Sequence, residues 1–327
     1  NTNQPIDFKD YMLIYRYPGK KDEDLYWKPY VDVVIPPQGT MVFWGMTGPN
    51  ENTPVADFNA NYGTNLTENV DIVRIPGGLH NSRDRMVVIA TNTGHELVTA
   101  GYNNGVDDTN PNMGIKYRYP EPGSTEMIKI SGGIEPATPG TVEAGQVPDE
   151  PLVVERDSIP PIITDRTAGI HTDLTKPIEI EVQAEDDRLV RTLMLHYKGS
   201  EASSYKSVSL RFGADGLYRY AIPLADWVGN RAIDYYFTAS DGANETTSGP
   251  YQVAILQQDV SPRLNVTDGQ FVSGETLLIG SSDEVSPDNL QLKIDGRDVG
   301  GTEKALERPA YFVFEASGID RGVNEIT

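Results

Sequence analysis

The sequence lacks cysteine altogether and holds only four histidines among its 327 residues. Without cysteine it can form no disulfide, no thiolate nucleophile and no cysteine-ligated zinc site, so each folding unit must be held by its own apolar core. Metal-dependent hydrolysis needs several histidine and acidic ligands that converge on one ion, whereas these histidines are scattered. They are His80, His95, His171 and His196. The sequence also has no nucleophile elbow, P-loop or dinucleotide-binding glycine motif, so we expect no catalytic residue in it.

Long apolar runs and basic side chains are scarce as well. No stretch approaches the roughly 20 apolar residues of a membrane-spanning helix, so we expect no membrane span. Lysine and arginine together number 27 against 48 aspartates and glutamates, which gives a net charge of −21. Such a chain repels phosphate backbones, and we therefore expect no nucleic-acid binding. Because the acids are dispersed, the simpler interpretation of the charge is solubility.

Turn-forming residues and tyrosine are abundant by contrast, with 31 glycines, 23 prolines and 17 tyrosines. A chain of this length is too long for one ordinary core, because domains usually run roughly 100 to 150 residues. Short apolar-alternating runs separated by frequent glycine and proline are typical of β-strands and their turns. We predict an all-β fold made of tandem β-sandwiches.

The stretch from residue 77 to 102 carries the clearest local signal. Residues 86–90 are apolar and rich in β-branched side chains, Asn92-Thr93-Gly94 is turn chemistry, and 96–102 resumes an extended pattern. Together they predict a β-hairpin. The stretch resembles the central motif of the lamin tail domain, a small immunoglobulin-like β-sandwich. The matching positions are Leu79, Asn81, Ser82, Asp84, Gly94 and Tyr102, whereas Arg83 replaces a glycine of the motif.

The resemblance to the lamin tail domain extends over residues 1–146. Thr138-Pro139-Gly140 matches the end of the family's closing segment, but the family's usual opening strand is missing. The resemblance therefore implies an exposed sheet edge or a gap. Residues 50–69 and 103–112 lack periodicity and are predicted as long loops; the first of them is where we expect a binding surface.

Residues 147–161 contain four prolines and scattered acids, which predicts an extended linker. Residues 162–257 show about seven short alternating runs, which fits an immunoglobulin-like or fibronectin type III sandwich. This module resembles spacers found in exported bacterial enzymes. Residues 258–327 are predicted to be a partial third β-sandwich-like module, with strands at 277–280, 290–295 and 311–316 and a turn at Asp295-Gly296.

Two groups of side chains are candidate ligand sites. Carboxylates on the linker and at one end of the second module are candidate calcium ligands: Asp157, Asp186, Asp187 and Asp241. We hypothesise that calcium stiffens the junction between the first two modules, and ordinary loop acids are the alternative. Aromatic residues of the first module are candidates for binding a sugar or another apolar ligand: Tyr26, Trp27, Tyr30 and Trp44. Their alternative role is to fill the core.

These observations favour a non-catalytic region, monomeric and extracellular or on the cell surface. Lamin tail domains of bacteria often accompany exported nucleases and calcineurin-like metallophosphoesterases. The resemblance therefore implies a binding or spacer region of a larger exported bacterial protein, which positions a downstream hydrolase. A cell-wall component, a polysaccharide or a protein is the expected ligand. Two alternatives stay open: a carbohydrate-binding or adhesive surface module, and part of a phosphoesterase or nuclease whose activity lies outside these residues.

Overall fold

The computed structural model describes residues 2–172, 176–227 and 230–256, and beyond them 263–264, 266, 269–270, 277–282, 293–298, 302–305 and 310–315. Strands predominate and helices are few, so the fold class is all-β, as the sequence predicts. The chain divides into two compact units. The first takes in Asn1–Pro161 and the loops Asp186–Thr192 and Ser240–Glu245. The second takes in Ile162–Glu185, Leu193–Ala239 and the described residues from Thr246 onward.

The first unit consists of short strands with one α-helix and two 3-10 helices among its described residues. Its strands are β1 (Ile6–Asp7), β2 (Tyr11–Arg16), β3 (Leu25–Trp27), β4 (Val34–Ile35), β5 (Val42–Met46), β6 (Ile72–Pro76), β7 (Arg85–Thr91), β8 (Glu96–Tyr102), β9 (Met113–Arg118) and β10 (Ile128–Pro136). Four of them form an antiparallel sheet in the order β3-β2-β7-β8. The pairs β1–β4 and β9–β10 are antiparallel, whereas β5 and β6 are parallel.

The predicted hairpin is confirmed, because β7 pairs with β8 from Arg85 opposite Tyr102 to Ile89 opposite Val98. Gly94 lies in its turn with a φ of 98°, a conformation that favours glycine. The predicted irregular stretch 103–112 is confirmed as well, since neither helix nor strand occurs in it.

The prediction of a loop over residues 50–69 is wrong in part. A two-turn helix, α1 (Val55–Tyr62), lies within it. Pro54 occupies the N-cap position, and Gly63 ends the helix in the left-handed conformation at φ 66°. A proline before a helix and a glycine after it are usual boundary residues. The helix is too short to show a clear helical period in the sequence. Its boundary residues, proline and glycine, are also typical of loops, so the whole stretch was predicted as a loop.

The core of the first unit is aromatic. Tyr15 of β2 stacks on Trp27 of β3 with ring centroids 4.9 Å apart and an interplanar angle of 12°. Gly77 passes over the same indole, and a Cβ at that position would lie 2.6 Å from the Trp27 ring. Only glycine therefore lets the backbone approach so closely. Buried aliphatic and aromatic neighbours complete the core, among them Phe8, Leu13, Val73, Ile75 and Tyr102.

The second unit contains a two-sheet sandwich. Its strands are β11 (Ile162–Asp165), β12 (Ile170–His171), β13 (Ile178–Glu185), β14 (Thr192–Gly199), β15 (Lys206–Ser209), β16 (Tyr218–Ile222), β17 (Ala232–Ser240) and β18 (Glu245–Ile255), with a short helix, α2 (Leu224–Trp227). One sheet has the order β11-β13-β16 and the other the order β12-β18-β17-β14-β15. Lettered in chain order, these are sheets A-B-E and A′-G-F-C-C′, the strand order of an immunoglobulin-like sandwich. The predicted strands of this module are confirmed, with β12 in addition.

The alternating pattern of the sequence decides which side chains fill this sandwich. In β13, Ile178, Ile180 and Val182 are buried, and in β14 the same is true of Leu193, Leu195 and Tyr197. Successive side chains of a strand point to opposite faces, so the residues between them face away from the core. Fully burying one such aliphatic side chain contributes about 1.5–3 kcal/mol.

The described residues after Ile255 include six further strands. They are β19 (Arg263–Leu264), β20 (Leu277–Ser282), β21 (Lys293–Ile294), β22 (Arg297–Asp298), β23 (Thr302–Ala305) and β24 (Ala310–Glu315). The predicted strands near 277–280 and 311–316 are confirmed by β20 and β24, while residues 290–292 and 316 lie outside the described residues. The predicted turn is confirmed: Asp295 and Gly296 both have positive φ between β21 and β22. Within the described residues, no helix is long and apolar enough to cross a bilayer.

Candidate functional site

Three of the four predicted calcium ligands lie together in the first unit. Asp157, Asp186 and Asp187 each offer a carboxylate oxygen, and these oxygens lie within 4.8 Å of one another. Asp157 belongs to the connector, which is the segment 147–161 predicted above as a linker, and Asp186 and Asp187 follow the end of β13. We call these three residues the aspartate group. Asp157 and Asp186 are partly buried, whereas Asp187 is exposed.

Local turns position the carboxylates of the aspartate group. Asp186 Oδ1 accepts hydrogen bonds from the backbone N–H groups of Arg188 and Leu189, both at 2.9 Å. Asp157 Oδ1 accepts one from the N–H of Ile159 at 3.2 Å. Asp186 Oδ2 is screened from solvent and accepts no hydrogen bond from the described residues. A buried carboxylate oxygen without a partner is costly, so this atom is the best placed to coordinate a cation.

One cation of the protein already faces the aspartate group. Arg188 Nε lies 3.5 Å from Asp157 Oδ2, and Arg188 Nη1 donates to the carbonyl oxygen of Glu155 at 2.7 Å. Three carboxylates and one guanidinium leave an excess of negative charge. Hard divalent cations such as calcium take oxygen ligands of this kind, and three carboxylates supply part of the usual set of six to eight.

Asp241, the fourth predicted ligand, is not a member of the aspartate group. Its Oδ1 accepts the backbone N–H groups of Ala243 at 2.6 Å and Asn244 at 2.7 Å, and its Oδ2 accepts Asn244 Nδ2 at 2.8 Å. Burial raises the pKa of Asp241, but these hydrogen bonds and the charge of Arg191 outweigh it and hold the pKa below its ordinary value. The carboxylate of Asp241 therefore holds a turn, and the structure groups only the other three predicted ligands.

Of the four aromatic candidates of the first module, Trp27 is not a ligand-binding ring and takes the alternative role. Trp27 is 7% exposed and belongs to the core, where it stacks on Tyr15. Tyr26 and Tyr30 are exposed, at 47% and 60%. Trp44 packs against Phe58 of α1 at a centroid distance of 5.0 Å. Trp27 and its neighbour Tyr26 alternate along β3 and point to opposite faces, so the four rings form no single exposed row.

A different aromatic group lies on the second unit. Tyr236 of β17 packs against the ring of His196 on one side and against Tyr205 on another. We call His196, Tyr205 and Tyr236 the tyrosine–histidine cluster. The signal that predicts its orientation is the alternation in β17, where Tyr235 and Phe237 are buried and Tyr236 between them is not. The sequence analysis names Tyr236 in no candidate site and so missed the outward ring.

Comparisons with known proteins find a longer relative of the chain. No family model matches it. An uncharacterized protein of Bacillus subtilis (strain 168), YvnB, is 32% identical over 320 residues, which are 96% of this chain and 24% of that protein. The chain therefore spans about a quarter of the length of this curated relative.

A solved structure of a marsupial T cell receptor also matches, covering 100% of this chain and 95% of that one at 11% identity, with a TM-score of 0.23. A TM-score this low is no evidence for a shared fold. The immunoglobulin-like strand order is shown instead by the two sheets described above.

Proposed function

We propose that these residues form a non-catalytic, extracellular binding and spacer region of a longer exported protein. The observation that carries the proposal is the bonding of the connector 147–161 into the first unit. Asn3 N donates to the Leu152 carbonyl at 3.2 Å, Val154 N donates to Asn3 Oδ1 at 2.8 Å, and Asn244 Nδ2 reaches the Ile159 carbonyl at 3.4 Å. A proline-rich segment that is hydrogen-bonded at several points has less conformational freedom than a coil linker. A spacer requires such restricted freedom.

Two further observations support the proposal. The relative from Bacillus subtilis is about four times as long as the matched region, since that region is 24% of it. The sequence resemblance to the lamin tail domain supports an exported protein and a downstream hydrolase such as a metallophosphoesterase. The hydrolase belongs to the same proposal and lies outside these residues.

Two measurements test the two parts of the proposal separately. A tagged gene product that carries this region is fractionated, and we expect it in the culture medium or the cell-wall fraction; retention in the cytosol would overturn the extracellular role. The purified 327-residue chain is then incubated with bis-p-nitrophenyl phosphate and manganese, and we expect no turnover. Turnover that is abolished by His80→Ala or His196→Ala would overturn the non-catalytic role.

Calcium binding by the aspartate group is a second proposal. The specific observation in its favour is the screened Asp186 Oδ2, which has no hydrogen-bond donor among the described residues although two other carboxylates lie beside it. A calcium ion at this place would satisfy that oxygen and compete with Arg188 for Asp157. It would join the connector to the loop that follows β13, both parts of the first unit.

A further inference from the structure

The two outer faces of the immunoglobulin-like sandwich differ in chemistry. The three-stranded sheet exposes charged side chains that pair with one another: Arg219 donates to Glu181 at 2.8 Å and to Asp215 at 2.7 Å. The five-stranded sheet also carries charged side chains, Lys198 and Asp234, on its outer side, but there they stand beside the tyrosine–histidine cluster and hydroxyl residues. Binding surfaces are enriched in aromatic residues and depleted of lysine, aspartate and glutamate relative to other surface. The first face fits a solvated surface, and the second fits a binding surface.

The three rings of the cluster contact one another, although they come from separate segments of the chain. The ring of His196 on β14 is nearly parallel to that of Tyr236 on β17, with centroids 4.4 Å apart and an interplanar angle of 12°. Tyr205, just before β15, meets Tyr236 edge-on at 5.1 Å and 76°. Tyr205 is 41% exposed, so the surface reaches solvent.

Polar contacts hold these rings in place. His196 Nδ1 is 2.7 Å from Ser207 Oγ on β15, and His196 Nε2 is 3.0 Å from Thr238 Oγ1 on β17. Lys198 Nζ lies 5.3 Å from the centroid of the Tyr205 ring, a cation–π contact. Rings that are fixed before a ligand arrives lose little conformational entropy on binding, which favours affinity.

The charge of the chain selects the class of ligand. The net charge of −21 would repel a polyanion. A polycation would bind to the carboxylates on the outer face of the other sheet rather than to the cluster. The cluster offers aromatic rings beside the hydroxyl groups of Ser207 and Thr238, which suits a ligand that has apolar faces and many hydroxyls but no charge. We propose that the tyrosine–histidine cluster is a binding site for a neutral polysaccharide. The inference rests on the binding role proposed above and names its site and ligand class.

Sedimentation with insoluble polysaccharides tests the site. The purified chain is incubated with cellulose, chitin and curdlan, and with cross-linked polygalacturonate as an anionic comparator. We expect at least one neutral polymer to deplete the chain from solution. Tyr236→Ala and Tyr205→Ala should each lower the affinity about tenfold or more, equivalent to at least ~1.4 kcal/mol. Tyr236→Phe keeps the ring and should bind like the parent chain.

Controls separate loss of binding from loss of folding. Glu179→Gln lies on the other sheet and should leave binding unchanged, and circular dichroism with thermal melting shows whether each variant is folded. Because Tyr205 is more exposed than a core residue, its replacement by alanine is less damaging to the fold, so Tyr205→Ala still tests the site if Tyr236→Ala unfolds the module. Retention by none of the neutral polymers, retention only by the anionic one, or full binding by folded Tyr205→Ala would overturn the inference. If the chain is exported but gives any of these results, only the binding-site inference fails and the proposed spacer role remains. A cytosolic location would instead contradict the spacer role.

Discussion

Thr93 Oγ1 donates a hydrogen bond of 2.7 Å to the carbonyl oxygen of Val190, and both residues are buried within the first unit. Because the Thr93 hydroxyl hydrogen is used in this way, Thr91 must be the donor in the 2.7 Å contact between the two threonine hydroxyls. Thr91 Oγ1 in turn accepts the N–H of His95 at 3.0 Å. The turn of the β7–β8 hairpin is thus tied to the loop Asp186–Thr192 by a chain of polarised hydrogen bonds.

Thr93→Val removes the donor at the end of this chain while keeping the shape of the side chain. It leaves the Val190 carbonyl buried without a partner, so we expect a loss of about 1–3 kcal/mol in the free energy of unfolding. Urea titration followed by circular dichroism measures it. The matched control is Thr247→Val on β18, where the threonine is exposed and the change should stay within about 0.5 kcal/mol. Equal stabilities for the two variants would mean that the bond to Val190 contributes nothing.

Truncation after Pro161 removes both loops that the first unit takes from later in the chain. The fragment 1–161 then exposes the buried turn residues Thr91, Asn92 and Thr93. We expect it to melt at a lower temperature than the first unit does in the whole chain, or not to fold. A fragment as stable as the corresponding transition of the whole chain would show that the loops are dispensable.

Asp10 is 5% exposed, and burial, together with the nearby charge of Asp7, raises the pKa of its carboxyl despite the opposing charges of Lys9 and Arg191. A folded-state pKa above the unfolded value means that protonation favours the folded chain, so this group adds stability as pH falls through its folded-state pKa. Asp10→Asn should therefore stabilise the chain at pH 7, by roughly 0.5–1 kcal/mol. The advantage over the parent chain should shrink as pH falls toward 4.

Thermal melts of the two chains from pH 7 to pH 4 check this expectation for Asp10. Asp22→Asn, at an exposed position, controls for the loss of one negative charge from an acidic protein. A parent chain that stays more stable than Asp10→Asn at pH 7 would contradict it.

Glu96 shows the opposite dependence on pH. Hydrogen bonds from Arg16 Nη1 and Nη2, both 2.9 Å long, lower the pKa of the Glu96 carboxyl, and Lys21 adds to the effect. The stability that this carboxylate contributes is present above its unfolded pKa and is lost as pH falls through its folded-state pKa. Glu96→Gln should cost about 1–3 kcal/mol at pH 7, because Arg16 loses one of its two charged partners and keeps Asp24.

The measurement for Glu96→Gln is denaturant unfolding at pH 7 and at pH 3.5. We expect the difference from the parent chain to narrow at the lower pH. Glu121→Gln serves as the control, since Glu121 forms only an exposed ion pair with Arg118, and such pairs are worth little. A difference that is the same at both values of pH would show that the charge of Glu96 is not what stabilises the fold.

Calcium should stabilise the chain through the aspartate group. With a dissociation constant of about 1 mM, typical of weak extracellular sites, 10 mM calcium adds about 1.4 kcal/mol to the free energy of unfolding. We expect a rise in melting temperature on adding calcium, its loss on chelation, and no rise in Asp186→Asn. Arg188→Gln removes the competing guanidinium and should strengthen binding. The proposal fails where calorimetry of the parent chain at 10 mM calcium shows neither heat nor a shift in melting temperature.

Strands and turns were the most predictable features, because each depends on neighbours in the sequence. The alternation in β13 and the turn residues Asn92 to Gly94 were enough to place a strand and a hairpin. The sequence left the role of Trp27 open between ligand binding and the core, since its partner Tyr15 lies across a strand pairing and its close neighbour Gly77 is fifty residues away along the chain. The gathering of Asp157 with Asp186 and Asp187 was expected, but the separate role of Asp241 depended on local hydrogen bonds that composition does not reveal.

The sequence by itself determined an all-β chain without cysteine chemistry, because residue type and period-two alternation act locally and need no knowledge of distant partners. Only the tertiary structure decided which aromatic rings face solvent and which carboxylates share a neighbourhood. It buried Trp27, turned Tyr236 outward beside His196, and brought the connector to the loop after β13. Those outcomes depend on how strands from distant parts of the chain pair and pack. The pairing and packing are determined by the burial of the whole core, not by the sequence of any single segment.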